Sequence, residues 1–207
     1  IDMSNFYLDI LKDRLYVEKS DSLSRRAAQT AIYRILSALT RMLAPILAFT
    51  ADEIWKFLPH LDSEDSECVM FNDMPSTSGL SEDSIFMTKW NRIKDIREDV
   101  NKALELARKQ KVIGKSLEAK VTLGCKGELH DFLKSVEKEL TTAFIVSAVE
   151  IVNTPSGDFV GDVEGLKVTI SKADGEKCER CWTFSNTVGQ DIEHPTLCSR
   201  CAAIIKE

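Results

Sequence analysis

The chain reads Cys178-Glu179-Arg180-Cys181, then sixteen residues, then Cys198-Ser199-Arg200-Cys201. Two cysteines separated by two residues can bend around one metal ion as a tight knuckle. Two such knuckles supply four thiolates, the tetrahedral soft-donor set that Zn²⁺ takes at about 2.3 Å per bond. The gap between the pairs lies within the range for ribbons of this kind. Four thiolates leave no open coordination position, so the centre reads as structural and not as a water-activating site. The competing readings are two disulfides or a chance pair of redox motifs, and a reducing interior favours the metal over disulfides.

The other candidate ligands carry less. Cys68 and Cys125 have no partner at ligand spacing and read as bystander thiols. His194, four residues before Cys198, reads as a loop residue once four cysteines close the site, and His60 and His130 stand singly. Residues 174–207 are too few to bury a sufficient core alone, so zinc binding must supply folding energy. Trp182, Phe184, Leu197 and Ile204 are the expected minimal core. Trp182 has a second reading, as a stacking platform for an unpaired base between Arg180 and Arg200.

The elements that would carry this module are mainly helical. Ser4 is the expected N-cap of a helix bearing Phe6, Ile10, Leu11 and Leu15. A second helix starts near Asp21 or Ser22 and repeats apolar residues at Ala28, Ala31, Ile32, Ile35, Leu36, Leu39 and Leu43 until Pro45. Thr50 with Glu53 reads as a capping box for a short helix with Ile54, Trp55 and Leu58. Residues 59–83, rich in acidic, Ser, Thr and Pro residues, read as a long connection that is mobile or wraps the outside. A long helix over Ser84–Lys111 buries Trp90, Ile93, Ile96, Val100, Leu104 and Ala107, and Gly114 stops it. Beyond it, Leu117–Leu123 reads as a strand, Glu128–Leu140 as a helix, and Ala143–Val152 and Leu166–Ile170 as strands. The first of those two is apolar enough to be buried on both faces.

The fold class expected is multidomain and mainly α. A helical bundle covers 1–111 with its acidic loop at 59–83, a small α/β unit covers 112–173, and a four-cysteine zinc ribbon covers 174–207. The chain opens at Ile1 inside a helical pattern, as a fragment of a longer protein would. No apolar run approaches the roughly 20 residues that span a bilayer. The formal charge of −6 is unevenly spread: residues 59–83 hold 7 acidic and no basic side chains, while 84–127 hold 11 basic and 5 acidic. That asymmetry is compatible with a polyanionic partner, which the total would argue against.

Several stretches resemble one family. Cys178-Glu179-Arg180-Cys181-Trp182 and Glu193-His194-Pro195-Thr196-Leu197-Cys198-Ser199-Arg200-Cys201 are similar to the C-terminal zinc finger of bacterial-type isoleucyl-tRNA synthetases. Residues 6–16, from Phe6 to Tyr16, and 43–55, from Leu43 to Trp55, resemble that family's helical anticodon-binding domain, a feature shared with the valine and leucine enzymes. Ile113-Gly114-Lys115-Ser116-Leu117-Glu118-Ala119 resembles the start of its C-terminal α/β junction. The zinc tail narrows the resemblance to the isoleucine enzyme.

The resemblance implies a class I synthetase that attaches isoleucine to its tRNA using ATP, bound outside this chain. The His-Ile-Gly-His and Lys-Met-Ser-Lys-Ser signatures of that chemistry are absent here, so no catalytic residue is expected in this stretch. Gly114-Lys115-Ser116 is not a P-loop, because the glycine required five residues earlier is Lys109. The implied partners are the anticodon stem-loop of tRNA(Ile) and the catalytic and editing domains of the same chain, in a cytoplasmic monomer without membrane attachment. Arg180 and Trp182 are expected at the bases, the family tipping Trp182 toward stacking. Phosphate contacts are expected among Lys12, Arg14, Arg25, Arg26, Arg34, Arg41, Arg108, Lys109, Lys111 and Lys115, with Arg200 beside the ligands. Two rival readings are the zinc-ribbon DNA-binding module of a repair glycosylase and a non-catalytic protein-interaction module.

Overall fold

A computed structural model describes residues 3–76, 83–154 and 156–206. Within them the chain forms two compact units, one from residues 18–82 and one from 1–17 together with 83–207.

In the unit from residue 18, Ser22 caps α3 (Leu23–Leu43), its hydroxyl accepting the Arg25 N–H at 3.1 Å. The helix ends one residue before the Ala44–Pro45 pair, as the proline demands. The capping box does not form: α4 (Ala48–Trp55) begins two residues before Thr50, so Thr50 lies inside its first turn. Trp55, 1% exposed, anchors a small core with Ala44, Ala51 and Val69. The expected stripe of α3 is only partly buried, since Leu36, Leu39 and Leu43 stay exposed while Ala28, Ser37 and Thr40 are covered. Helical spacing fixes which residues share a face, and the partner decides how deeply that face is buried.

The acidic connection is more ordered than its composition suggests, up to Ser76; residues 77–82 lie outside the described stretches. A 3₁₀ turn (Val69–Phe71) seats Val69 in the Trp55 core, and the indole N–H of Trp55 donates to the Asp65 carbonyl at 2.8 Å. Asn72 and Asp65 stitch the turn, the Asn72 amide donating to the Asp65 and Cys68 carbonyls. Glu64 accepts from Tyr33 and lies 3.5 Å from Arg41, so Arg41 has an acidic neighbour within its own unit.

In the other unit, residues 3–17 are a π turn (Met3–Tyr7) followed by α1 (Leu8–Ile10) and α2 (Lys12–Tyr16). Ser4 is therefore inside the first turn and not its cap; its hydroxyl donates to Asn5. Asp83 caps the long helix α5 (Ser84–Lys109) through the Ile85 and Phe86 N–H groups. Gly114 does not stop it. Lys111 adopts a left-handed φ of 60°, with Val112 N–H bonded to Ala107 O and Lys111 N–H to Arg108 O, a Schellman ending built without glycine.

The mixed sheet runs β2-β1-β4-β3. Central β1 (Ala119–Gly124) alternates inward residues Ala119, Val121 and Leu123, all fully buried. It pairs antiparallel to β4 (Lys167–Lys172), which pairs with the short β3 (Phe159–Val160). It pairs parallel to β2 (Ala148–Val152), which requires a crossover supplied by α6 (Gly127–Ser135) and α7 (Glu137–Phe144). The expected single helix is thus two, divided at Val136. The expected strand over 143–152 loses its first half to α7, and β2 is a half-buried edge strand, not one covered on both faces. The apolar run is continuous because its first half ends a buried helix. The predicted stripe of α5 enters the same core as β1, β4, α6 and α7.

Candidate metal centre and nucleic-acid interface

The tail is a two-stranded hairpin and a helix: β5 (Glu176–Lys177), β6 (Phe184–Ser185) and α8 (Ser199–Lys206). The hairpin turn holds the first cysteine pair, with Cys178 N–H on Thr183 O and Trp182 N–H on Cys178 O, both at 2.9 Å. Gly175, at φ +85°, lies so close to β6 that a Cβ there would be 2.3 Å from the Ser185 carbonyl carbon. The second pair opens α8, where unpaired helix N–H groups favour thiolates.

The four thiol sulfurs lie within 4.8 Å of one another, the one such cluster among the described residues. Cys181 Sγ and Cys198 Sγ are 3.8 Å apart, close to the roughly 3.8 Å edge of a tetrahedron with 2.3 Å metal–sulfur bonds. That is far beyond a disulfide, and the donor set fits zinc. His194 lies outside the cluster, its N–H donating to Asp191. Burial acts to raise the Cys178 thiol, but N–H groups of Cys181, Cys198 and Arg180 more than offset this and hold it at about 6. Burial pushes the Cys198 and Cys201 thiols up.

The core beside the thiols differs from expectation. Leu197 is in it and Ile204 packs against it, but Phe184 and the 60% exposed Trp182 are not; Ala202 and Val17 are there instead. Val17 comes from the far end of the chain, and no local pattern could have shown it. Trp182 holds a left-handed φ of 64°, with Lys177 Nζ 5.9 Å from its ring centre.

Trp182 lies at a groove of about 720 Å³ lined by α2, the α7–β2 turn and the first knuckle. Arg180, Trp182 and Arg200, expected together from sequence, all line it. Arg180 donates toward Cys201 Sγ at 3.9 Å. Arg200 makes a two-pronged pair with Asp13 at 2.7 and 2.8 Å, which raises its pKa, helped by the neighbouring Cys181 thiol. The lining also includes Lys12 and the 76% exposed Tyr16, an aromatic that the sequence reading missed because its place at the groove depends on where α2 docks.

The remaining candidates lie on other elements. In the unit from residue 18, Arg26 and Arg34 are exposed on α3, and Arg25 is half-buried with Nη1 on the Glu18 carbonyl. At the end of α5, Arg108 pairs with Glu105 and Ser116, and Lys109 is exposed. No helix among the described residues is long and apolar enough to cross a membrane.

The described residues combine a helical N-terminal half with a four-cysteine finger beside an exposed aromatic. Residues 1–123 match the anticodon-binding domain of tRNA ligase, and the chain belongs to that family. Residues 175–204 match a zinc finger found in FPG and IleRS. The chain is similar to isoleucine–tRNA ligases: 46% identical over 209 residues to that of Syntrophotalea carbinolica and 45% over 211 to that of Caldanaerobacter subterraneus. The Desulforamulus reducens enzyme is 47% identical over 210 residues. Each match covers 100% of this chain and 22% of the relative, so the chain spans about a fifth of those proteins' length. The finger alone is shared with FPG; the match over 1–123 disfavours the repair-glycosylase reading.

Proposed function

We propose that this chain is the tRNA-gripping C-terminal part of an isoleucine–tRNA ligase. The whole protein attaches isoleucine to tRNA(Ile) with ATP, in the cytoplasm and as a monomer, its catalytic and editing chemistry lying outside these residues. The three segments act as an anticodon-binding bundle (1–111), an α/β junction (112–173) and a four-cysteine ribbon (174–207) holding one structural zinc. The observation that carries the reading is the exposed Trp182 ring beside Arg180 on a metal-shaped knuckle.

The chemistry asked of this region is recognition, not bond making. An anticodon loop presents splayed bases, which stack on aromatic faces, and phosphates, which pair with Arg and Lys. Trp182 supplies the face and Arg180 a neighbouring fork of donors. Arg25, Arg26, Arg34, Arg108 and Lys109 are the proposed phosphate contacts, with Arg26, Arg34 and Lys109 the most open. Arg200, held by Asp13, offers RNA its charge more than its free donors.

Competition binding with the intact zinc-loaded protein tests this, using tRNA(Ile), a non-cognate tRNA and duplex DNA. The expected order places tRNA(Ile) first, with a log affinity that falls linearly with log salt. Equal competition by duplex DNA would instead favour a glycosylase-like finger, and no nucleic-acid binding would leave a protein-interaction module.

A further inference from the structure

Asp13 and Arg200 join the two ends of the sequence. The two terminal guanidinium nitrogens of Arg200 each donate to one carboxylate oxygen of Asp13, at 2.7 and 2.8 Å. This fork-to-fork pair fixes orientation as well as distance. Arg200 stands between the ligands Cys198 and Cys201 in sequence and shares the groove lining with Cys181. One turn beyond Asp13, Val17 is 6% exposed and packs in the same core as all four cysteines. An ionic and an apolar contact thus hold the same short helix against the metal module.

Four thiolates around one dication carry two net negative charges, and Arg180 and Arg200 are the cations built beside them. We infer that Asp13 is a positioning residue: through Arg200 it latches the helical segment 3–17 onto the zinc centre, coupling metal occupancy to the pose of that segment. Zinc holds α8 and the knuckle in register, which places Arg200 for Asp13 and Leu197 and Ala202 for Val17. Loss of zinc dissolves that register and frees α2. The coupling is reciprocal, so whatever loosens α2 loosens zinc by the same factor. Because α2 and the first knuckle both line the groove, the latch also sets how they stand to one another there, whatever ligand the groove takes.

The test uses the full chain loaded with zinc and reads hydrogen exchange at residues 8–17 together with zinc loss to a chelator. In the parent protein, chelation should raise exchange at 8–17 about tenfold, alongside the tail. Asp13→Asn should keep one zinc per chain, show raised exchange at 8–17 before chelation, and release zinc about tenfold more readily. Arg200→Lys, which keeps the charge but not the fork, should move both readouts the same way. Asp13→Glu should recover most of both. Parent-like zinc retention in Asp13→Asn and Arg200→Lys would overturn the inference, as would exchange at 8–17 that ignores chelation. RNA enters neither readout, so the outcome is independent of the tRNA reading.

Discussion

Ile145 and Trp182 line one groove, and both hold left-handed backbone, at φ 56° and 64°. Side chains with a Cβ rarely sit there, and a β-branched one least of all. At Ile145 the conformation ends α7, with Val146 N–H on Thr141 O and Ile145 N–H on Thr142 O. At Trp182 it closes the first knuckle. Two such residues at one opening are a recurring mark of binding sites, where strain holds side chains in place.

Trp182→Ala should weaken tRNA binding by about 1–3 kcal/mol, the range for loss of one base stack. Zinc content should stay at the parent level, because the ring is outside the thiol core. Trp182→Phe should keep much of the affinity. Filter binding with parallel metal analysis checks both, and unaltered affinity in the alanine variant removes the stacking role.

Zinc uptake near pH 7.5 should release fewer than four protons per ion. The Cys178 thiol, held at about 6, is already ionised there, whereas burial keeps the Cys198 and Cys201 thiols protonated above their ordinary range. Those raised thiols must lose protons to bind, so zinc affinity should climb as pH rises. Without metal, Cys178 works the opposite way to a raised group. Its depressed pKa stabilises the folded tail above the unfolded thiol value of about 8.5, and that contribution is lost as pH falls through about 6. Calorimetry in buffers of different ionisation enthalpy counts the protons.

Asp99, 1% exposed on α5, accepts the Val163 N–H at 2.8 Å and the Asp162 N–H at 3.0 Å. A Cβ on Gly161 would fall 2.1 Å from its carboxyl carbon. Asp99→Ala should cost about 3 kcal/mol by leaving buried N–H groups unpaired. Burial acts to raise this carboxyl, and the two N–H groups with Lys102 overcome it, so its pKa is lowered. The stabilisation is present above the unfolded value of about 3.9 and lost as pH falls through the lower folded one. Thermal melts followed from neutral pH down through the carboxylate range should therefore be flatter in Asp99→Asn than in the parent.

Gly175→Ala should disrupt the hairpin that carries the first cysteine pair, since its φ of +85° and the backbone of Ser185 leave no room for a methyl group. The expected result is faster zinc loss to chelator and a melting temperature lowered by several degrees, with about 1–3 kcal/mol lost. Unchanged zinc retention would mean that the hairpin does not constrain the ligands.

Much of this was legible in contiguous residues. Ligand spacing specified the four-cysteine centre, helical periodicity found α3 and the buried stripe of α5, and alternation found the strand around Val121. The misses share a cause. Thr50 and Ser4 have the right chemistry for caps, but the helices that hold them already include Ala48 and Met3. Gly114 has the right chemistry to end a helix, yet Lys111 does so first, held left-handed by two backbone bonds. Trp182 was expected in the tail core by composition, and Val17 is there instead.

The spacing of the four cysteines and the periods of the helices state their meaning within a few turns of chain, because metal ligation and amphipathic faces are short-range constraints. The pairing of Asp13 with Arg200, the burial of Val17 and the edge position of β2 have no such local signature. They depend on which surfaces meet after distant segments close, and loop closure carries no mark in the residues that it brings together.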